Sequence, residues 1–300
     1  MKSWMFVLLG TVIGAGLVGL AGCGRDSGNG TSGNGKSGQS IAIDGSDTMV
    51  NLSQAWAETY HKKKPDVNIQ VSGGGSGVGI NSLISGKVDM ANASRRMDDK
   101  EIAKAKTNFP GKEPKEVTVG IDALALYVHK ENPLESISID ELAEIYGDNG
   151  TITKWSQLGV KVLGSDDITR VSRQNNSGTY AYFREHVLGK NRDFKNGSID
   201  QSGSKDVVAL VSRTPTAIGY SGMGYKTNDV KWLKVSAKKG QPGIAPSIEA
   251  ARSGTYPISR PLFVYTIGEP QGALKEFIDW CRAPEGQAIV AEMGYVPLEK

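Results

Sequence analysis

An arginine, two hydroxyls and a glycine lie within the segment RQNNSGT at 173–179. The alternation over 168–172 predicts a short strand before it, and apolar residues recur at helical spacing from Tyr180 onward. A helix N-terminus attracts anions because unpaired N–H groups and the positive end of the helix dipole point outward there. Arg173 adds a cation that can form two parallel hydrogen bonds. The segment therefore predicts an anion-binding loop, with an ordinary Ser or Asn helix cap beside a surface arginine as the alternative.

Three earlier polar loops also join a predicted strand to a predicted helix. The strands are 41–43, 68–72 and 87–91, and the loops that follow them are 45–48, 73–77 and 92–96. Alternating strands and helices indicate a mainly parallel sheet, in which the loops after the strands gather at one edge. Together the four loops supply hydroxyls, N–H groups, Arg95 and Arg173, with little aromatic surface. This combination suits a small, fully desolvated oxyanion.

The loops lack the motifs of nucleotide sites and of hydrolases. The glycine run at 73–77 does not match GxGxxG, and Gly86-Lys87 lacks the upstream glycine of a P-loop. No HExxH occurs, and GYSGM at 219–223 departs from GxSxG. No cluster of His, Cys, Asp and Glu has the spacing of a metal site. We therefore expect a protein that is not an enzyme and that uses no cofactor and no metal.

The N-terminus predicts export and attachment to a membrane. Residues 1–22 contain an apolar run that ends in small residues directly before Cys23, as in the lipobox of bacterial lipoproteins. We expect residues 1–22 to be a signal peptide and Cys23 to carry lipid, palmitate included, with an uncleaved anchor helix as the alternative. Residues 23–39 are rich in Gly, Ser and Asn, the composition of a flexible tether. The folded part is then extracytoplasmic, in the periplasm or on the outer face of the cell membrane.

The charge of the chain is nearly balanced, with 35 Lys and Arg against 32 Asp and Glu. The basic residues are scattered and form no array with aromatic residues, so the sequence gives no support to nucleic-acid binding. About 260 residues follow the predicted tether, which is enough for two lobes with cores of their own.

Six motifs occur in order along residues 41–298. They are GSDTM at 45–49, GGGSGVG at 73–79, KVDMANASRRM at 87–97, RQNNSGT at 173–179, TPTAIGYSG at 214–222 and APEGQAIVAEMGYVPL at 283–298. Each is modest alone, but in this order and spacing they resemble the phosphate-binding lipoproteins of bacterial ABC phosphate importers, the PstS family.

The resemblance implies an α/β periplasmic binding protein fold, type II-like, with a ligand cleft between two lobes. Two crossover strands, expected at 117–127 and 256–266, would join the lobes. Lobe 1 would comprise residues 40–123 and 260–300, and lobe 2 residues 124–259. The implied function is high-affinity binding of inorganic phosphate outside the cytoplasm and its delivery to the permease and ATPase subunits of an ABC importer. We expect a monomer that meets the membrane only through its lipid.

The resemblance and the loops together give a set of site residues. The predicted phosphate-binding residues are Ser46, Asp47, Thr48, Met49, Ser76, Ser94, Arg95, Arg173, Ser177, Gly178 and Thr179. Thr48, the N–H of Met49, Ser76 and the fourth-loop residues match the family pattern. The third loop departs from one form of the family, which has an aspartate where this chain has Ser94. Another form carries ASR, and residues 93–95 match it.

Asp47 is the residue that we expect to detect the proton of phosphate. At neutral pH phosphate carries at least one proton and sulfate carries none, so selection of phosphate needs an acceptor, best a carboxylate. With Ser94 in place of the family aspartate, Asp47 is the nearest candidate. It either accepts this proton or helps to orient Arg95, and a plain helix N-cap is the alternative. The fourth loop, with Asn175, also lacks the acidic partner that Arg173 has in some members.

Three other functions stay open at this point. A site for another tetrahedral oxyanion, such as sulfate, molybdate or arsenate, would use the same donors. A phosphatase would use a hydroxyl nucleophile beside the arginines, although no base or metal accompanies the serines. A sensing or adhesive lipoprotein would keep the binding fold without transport.

Overall fold

The computed structural model describes residues 38–189 and 191–298. The predicted signal peptide, Cys23 and almost all of the predicted tether lie outside these residues. Among the described helices, none combines the length and the apolar character that crossing a bilayer requires.

Strands and helices alternate along the first part of the chain, as the sequence predicts. The strands are β1 (Gln39–Gly45), β2 (Val67–Val71), β3 (Met90–Ala93), β4 (Pro114–His129), β5 (Ser136–Ser138), β6 (Thr169–Arg173), β7 (Ile199–Gln201), β8 (Ala217–Gly222), β9 (Val230–Trp232), β10 (Lys234–Ser236) and β11 (Ser259–Ile267). The α-helices are α1 (Val50–Lys63), α2 (Ser76–Ile84), α3 (Asp99–Asn108), α4 (Ile139–Tyr146), α5 (Gly178–Phe183), α6 (Ser204–Val211), α7 (Ile248–Arg252), α8 (Gly272–Arg282) and α9 (Pro284–Glu292).

One curled sheet runs through the described residues in the strand order β2-β1-β3-β11-β4-β8-β6-β7, with β9 also paired to β4. The pairs β1–β2, β1–β3, β6–β7 and β6–β8 are parallel, as expected. The central pairs β3–β11, β11–β4 and β4–β8 are antiparallel. The prediction of a mainly parallel sheet is therefore wrong at the centre, because β4 and β11 run in opposite directions there.

The sheet has a half on each side of this centre, and each half has a core of its own. The first half consists of β1–β3 with α1–α3, α8 and α9, and its core includes Leu52, Trp56 and Tyr60 at helical spacing on α1. The second half consists of β6–β8 with α4–α6, and its core includes Tyr146 and Phe183. Burying these apolar faces is the main favourable contribution to folding.

The two long central strands link the halves. Strand β4 spans the first predicted crossover, and β11 begins at Ser259 within the second. Their antiparallel register places Arg260 directly opposite Asp122. A charged pair buried between these two strands has to be explained by the site, because burying charges has a cost that only good partners offset.

The start of α3 follows from its sequence. The Asp98 carboxylate accepts a hydrogen bond from the Glu101 N–H at 2.8 Å, and the Glu101 carboxylate accepts one from the Asp98 N–H at 2.9 Å. These two bonds form a capping box, which the sequence DDKE at 98–101 favours. It also holds the Glu101 carboxylate on the side of α3 that faces Arg95.

Candidate functional site

The first three loops meet in the first half through their serine side chains. The Ser46 hydroxyl donates to the Ser94 hydroxyl at 2.9 Å, and the Ser94 N–H donates to the Ser76 hydroxyl at 3.0 Å. All three side chains are buried. Gly45 allows this approach, because its φ is 138° and a Cβ there would lie 2.1 Å from the Asn92 carbonyl oxygen.

The fourth loop closes on these serines from the second half. The hydroxyls of Thr48 and Thr179 lie 3.0 Å apart, and Thr179 is buried. A Cβ built on Gly178 would lie 2.3 Å from the Ser76 hydroxyl oxygen and 2.6 Å from that of Ser94. We call Ser46, Thr48, Ser76, Ser94 and Thr179 the hydroxyl cluster, since loops from both halves bring these side chains together.

Further contacts hold the two halves together beside the hydroxyl cluster. The Gly77 N–H donates to the Asn176 carbonyl, and the Asn176 amide donates to the Gly74 carbonyl, each at 3.0 Å. At the start of α5, the Ser177 hydroxyl accepts from the N–H of Thr179 at 3.1 Å. Ser177 is therefore the N-cap of α5 and uses its oxygen on the helix.

Arg173 is buried against backbone and side-chain acceptors. Its guanidinium donates to the Ser202 carbonyl at 2.8 Å, to the Ser204 hydroxyl at 3.0 Å and to the Asp47 carboxylate at 2.9 Å. Burial lowers the pKa of Arg173, and the negative charge of Asp47 opposes this effect. The acidic partner that the fourth loop lacks therefore comes from the first loop, in the other half of the molecule.

In this structure Asp47 neither caps a helix nor orients Arg95. The N-cap of α1 is Met49, without a side-chain cap, so Asp47 is not a helix cap. Its carboxylate bonds to Arg173 and to the Gly74 N–H at 2.9 Å, and not to Arg95. The Met49 N–H donates to the Ser46 carbonyl at 2.9 Å, which occupies the group expected to bind the ligand.

Arg95 is directed toward α3. Its guanidinium forms two hydrogen bonds of 2.7 Å to the Glu101 carboxylate and one of 2.8 Å to the Arg96 carbonyl. These bonds to Glu101 raise the pKa of Arg95. Within the described part of the chain, neither Arg95 nor Arg173 forms a hydrogen bond to the hydroxyl cluster, but Arg173 bonds Asp47, which adjoins Ser46 and Thr48, whereas Arg95 is held on α3.

The cation in contact with the hydroxyl cluster is Arg260, which the sequence analysis missed. Its Nη2 donates to the Thr179 hydroxyl at 2.8 Å and to the Thr48 hydroxyl at 3.3 Å. Its Nη1 donates to the carbonyls of Ser94 at 3.1 Å and Gly178 at 3.2 Å. Arg260 is 2% exposed and so belongs wholly to the interior of the site.

Asp122 is the counter-charge of Arg260. One oxygen of this carboxylate accepts from Nη2 of Arg260 at 3.0 Å and from Nε at 3.3 Å. Asp122 is fully buried, and burial raises its pKa against the lowering effect of Arg260. The sequence clue to this pair is a single charge inside each of two apolar runs, GIDALALYV at 120–128 and SRPLFVY at 259–265.

Tyrosines support the first loop and Arg260. The Tyr225 hydroxyl donates to the Asp47 carbonyl at 2.6 Å, and the Tyr295 hydroxyl donates to the Thr48 carbonyl. The Arg260 guanidinium carbon lies 5.3 Å from the centre of the Tyr182 ring, a cation–π contact. Burial raises the pKa of Tyr182 to about 12, so this ring stays neutral at physiological pH.

A cleft of about 650 Å³ lies next to the hydroxyl cluster. Ser94 of the cluster and the neighbouring Arg260 both line it. It is lined by residues of both halves, including Arg95, Asn175 and Tyr182. Among the residues that the structure describes, no group of three or more His, Cys, Asp or Glu side chains is arranged to hold a metal. The hydroxyl cluster, Arg95 and Arg260 offer hydrogen-bond donors at this site.

Comparison with known proteins identifies the family. A model of the PBP superfamily domain matches residues 30–285. The chain is 36% identical over 265 residues to the phosphate-binding protein PstS of Pseudomonas aeruginosa, an alignment that covers 85% of this chain and 81% of that protein. It is 33% identical over 264 residues to PstS of Bacillus subtilis, with 88% and 82% covered.

Solved structures give the same result. A Clostridium perfringens protein assigned as a phosphate ABC transporter substrate-binding protein, with bound phosphate, matches with a TM-score of 0.77 and 30% identity. The match covers 87% of this chain and 100% of that one. An ABC-type phosphate transport receptor from Vibrio cholerae matches with a TM-score of 0.66 and 26% identity, covering 86% and 100%. The chain has the two-lobed α/β fold of these proteins and belongs to the PBP superfamily and, within it, to the PstS family of phosphate-binding proteins.

Proposed function

We propose that this protein is the receptor of a bacterial ABC phosphate importer. It binds inorganic phosphate outside the cytoplasm, between its two lobes, and delivers it to the permease and ATPase subunits. The observation that carries the proposal is the buried hydroxyl cluster, in which donors from both halves meet in contact with Arg260, with the Asp47–Arg173 pair in the adjoining part of the first loop. Phosphate is the ligand named for the relatives of this chain.

The proposal includes the residues that hold the ligand. Burying a phosphate dianion requires hydrogen bonds and cations that replace its hydration. Of the predicted residues, Thr48, Ser76, Ser94, Gly178 and Thr179 would surround it. Arg173 would supply charge from its position beside Asp47. Arg95 would reach the ligand only by leaving Glu101, since its guanidinium now bonds that carboxylate.

The proposed arrangement of the chain follows the sequence. Residues 1–22 would direct export, and Cys23 would carry the lipid that holds the protein at the membrane. Residues 40–123 and 260–300 would form lobe 1 and residues 124–259 lobe 2, with β4 and β11 as the hinge between them. The receptor would act as a monomer and without enzyme activity.

A ligand screen by thermal shift tests the function. A ligand that binds only the folded protein raises its melting temperature by mass action. We expect phosphate to raise it most, arsenate to follow, and sulfate and molybdate to have little effect at equal concentration. A larger shift with sulfate or molybdate would reassign the site to another tetrahedral oxyanion. Release of phosphate from a generic ester by the purified protein would contradict a purely binding role.

Replacing Asp47 with asparagine tests how the site selects phosphate. The carboxylate accepts a proton from phosphate and repels sulfate, which has no proton to donate. We expect Asp47→Asn to lower the ratio of phosphate to sulfate affinity by about tenfold or more, equivalent to about 1.4 kcal/mol. Isothermal titration with both anions measures this ratio.

Glu58→Gln is the matched control, because Glu58 is exposed on α1 of the same half. The control removes the same charge from the molecule without touching the site, so its selectivity should equal that of the wild type. If Asp47→Asn keeps the wild-type ratio of affinities, Asp47 is not the residue that distinguishes the two anions.

A further inference from the structure

Arg260 uses all of its donor groups inside the protein. A guanidinium has five N–H donors and no acceptor. Those of Arg260 are directed at the Asp122 carboxylate, the hydroxyls of Thr48 and Thr179, and two backbone carbonyls. An anion that enters the site therefore meets a guanidinium that is already occupied. The effect of Arg260 on the ligand has to pass through the groups to which it donates.

The two threonine hydroxyls are the groups through which it can act. A hydroxyl has one proton to donate and two lone pairs that accept. Nη2 of Arg260 occupies one lone pair on both Thr48 and Thr179, so neither hydroxyl proton can point toward the guanidinium. The two oxygens are 3.0 Å apart and share one proton between them. The other proton of the pair is thus directed away from Arg260, where an oxyanion between the loops would accept it.

Two backbone carbonyls receive the remaining donors. Nη1 of Arg260 binds the carbonyl oxygens of Ser94 and Gly178, one from each half. A carbonyl oxygen facing an anion repels it, whereas one held by a guanidinium is directed away and has its charge compensated. Arg260 thus fixes the orientation of the third and fourth loops at the place where the halves meet.

Asp122 compensates the charge of Arg260, so the pair can orient groups at the site without adding net charge there. The carboxylate lies opposite Arg260 in the β4–β11 register and accepts from both Nε and Nη2. The pair is buried and close to neutral as a unit, so it attracts a distant anion weakly. The pair therefore contributes the direction of hydrogen bonds. A tetrahedral and a planar oxyanion differ in the directions from which their oxygens accept hydrogen bonds.

We propose that Arg260, held by Asp122, is a positioning residue that presets the hydroxyl pair of Thr48 and Thr179 to donate its free proton to a bound tetrahedral oxyanion. The inference rests on the proposed phosphate-binding function, which it deepens by assigning the orientation of the donors to the hinge strands. Because β4 and β11 belong to the joint between the halves, the donors of both halves are aligned from one fixed point.

A double-mutant cycle on Arg260 and Thr179 tests the proposal. Phosphate affinity is measured by isothermal titration for the wild type, Arg260→Gln, Thr179→Val and the double variant. We expect losses of about a hundredfold for Arg260→Gln and about tenfold for Thr179→Val, since charge-assisted hydrogen bonds are stronger than neutral ones. The double variant should lose about a hundredfold, because a Thr179 hydroxyl that works only when Arg260 orients it has no further effect once the arginine is gone.

Additive losses, about a thousandfold in the double variant, would overturn the proposal, because a purely structural role of Arg260 does not depend on the Thr179 hydroxyl. Phosphate affinity within about threefold of wild type for either single variant would also overturn it. Arg260→Lys keeps the charge with fewer donors and should restore part of the affinity. If Arg260→Gln shows no cooperative unfolding transition, the same cycle is run with Arg260→Lys, and the coupling to Thr179→Val decides.

Arg252→Gln is the control for the arginine, because Arg252 is exposed on α7 just before β11. It should bind phosphate as the wild type does. The cycle also separates this inference from the proposed function. A wild-type protein that binds no phosphate contradicts the function itself, whereas a wild type that binds tightly with additive losses contradicts only the positioning role.

Discussion

Arg173→Ala lowers phosphate affinity by roughly a thousandfold, or about 4 kcal/mol, because breaking a buried ion pair leaves an uncompensated charge. In this chain that charge is Asp47, which loses the 2.9 Å bond to Arg173 and then repels an incoming anion. The acceptors Ser202 and Ser204 lose their donor as well. Isothermal titration with phosphate measures the loss, and circular dichroism checks that secondary structure is retained.

An exposed arginine of the same half gives the matched comparison. Arg213 follows α6 and is exposed, so Arg213→Ala removes the same charge without changing the site. It should bind phosphate within about threefold of the wild type. Near-normal affinity in Arg173→Ala itself would show that another group supplies the charge on which tight binding depends.

Gly178→Ala separates binding from folding. A Cβ at this position would lie 2.3 Å from the Ser76 hydroxyl oxygen and 2.6 Å from that of Ser94, both across the contact between the halves. The backbone of Gly178 has the geometry of the first helical residue of α5, which alanine adopts without strain. We therefore expect phosphate affinity to fall by about a hundredfold or more, since closure of the halves is blocked while each half folds normally.

Thermal unfolding without phosphate provides the check on this interpretation. The melting temperature of ligand-free Gly178→Ala should stay close to that of the wild type, and the stabilisation by added phosphate should disappear. A variant that binds phosphate as tightly as the wild type would show that the contact of Gly178 with the two serines is not needed for binding. A large fall in the ligand-free melting temperature would show that the substitution destabilises the fold.

Local patterns in the sequence predicted the elements that carry the loops. Leu52, Trp56 and Tyr60 lie on one face of α1 at helical spacing, and Glu101 closes the capping box of α3. These features depend on residues within a few positions of each other, so periodicity and capping rules find them. The strand that precedes Arg173 was also predicted to within one residue at each end.

The pairings between distant residues could not be predicted in the same way. Asp47 and Arg173 are 126 positions apart, and Asp122 and Arg260 are 138 apart. Which carboxylate meets which arginine depends on how the halves close and on the register of β4 with β11, neither of which has a local pattern. Arg95 is an example. Its place in the third loop predicted a ligand contact, but two of its hydrogen bonds go to Glu101 on the next helix.

The central antiparallel strands show a second limit. The alternation of strand, loop and helix correctly predicts β1–β3 and also β6. It does not predict the direction in which a later strand returns through the sheet. Strand β11 comes back between β3 and β4 only after the second half is complete. The pairing of Asp122 with Arg260 on these two strands therefore has no local signal in the sequence.

The late position of two groups in the chain has a consequence for biosynthesis. Arg260 bonds the hydroxyls of Thr48 and Thr179, and the Tyr295 hydroxyl holds the Thr48 carbonyl. A growing chain has both groups only after synthesis has passed residue 295, although all four loops emerge long before. An unfinished chain therefore cannot assemble the oriented donors, and the anion cannot lock it into a folded form. Under the proposed export route, this property would keep the chain open to translocation until the segment after its last helix has been made.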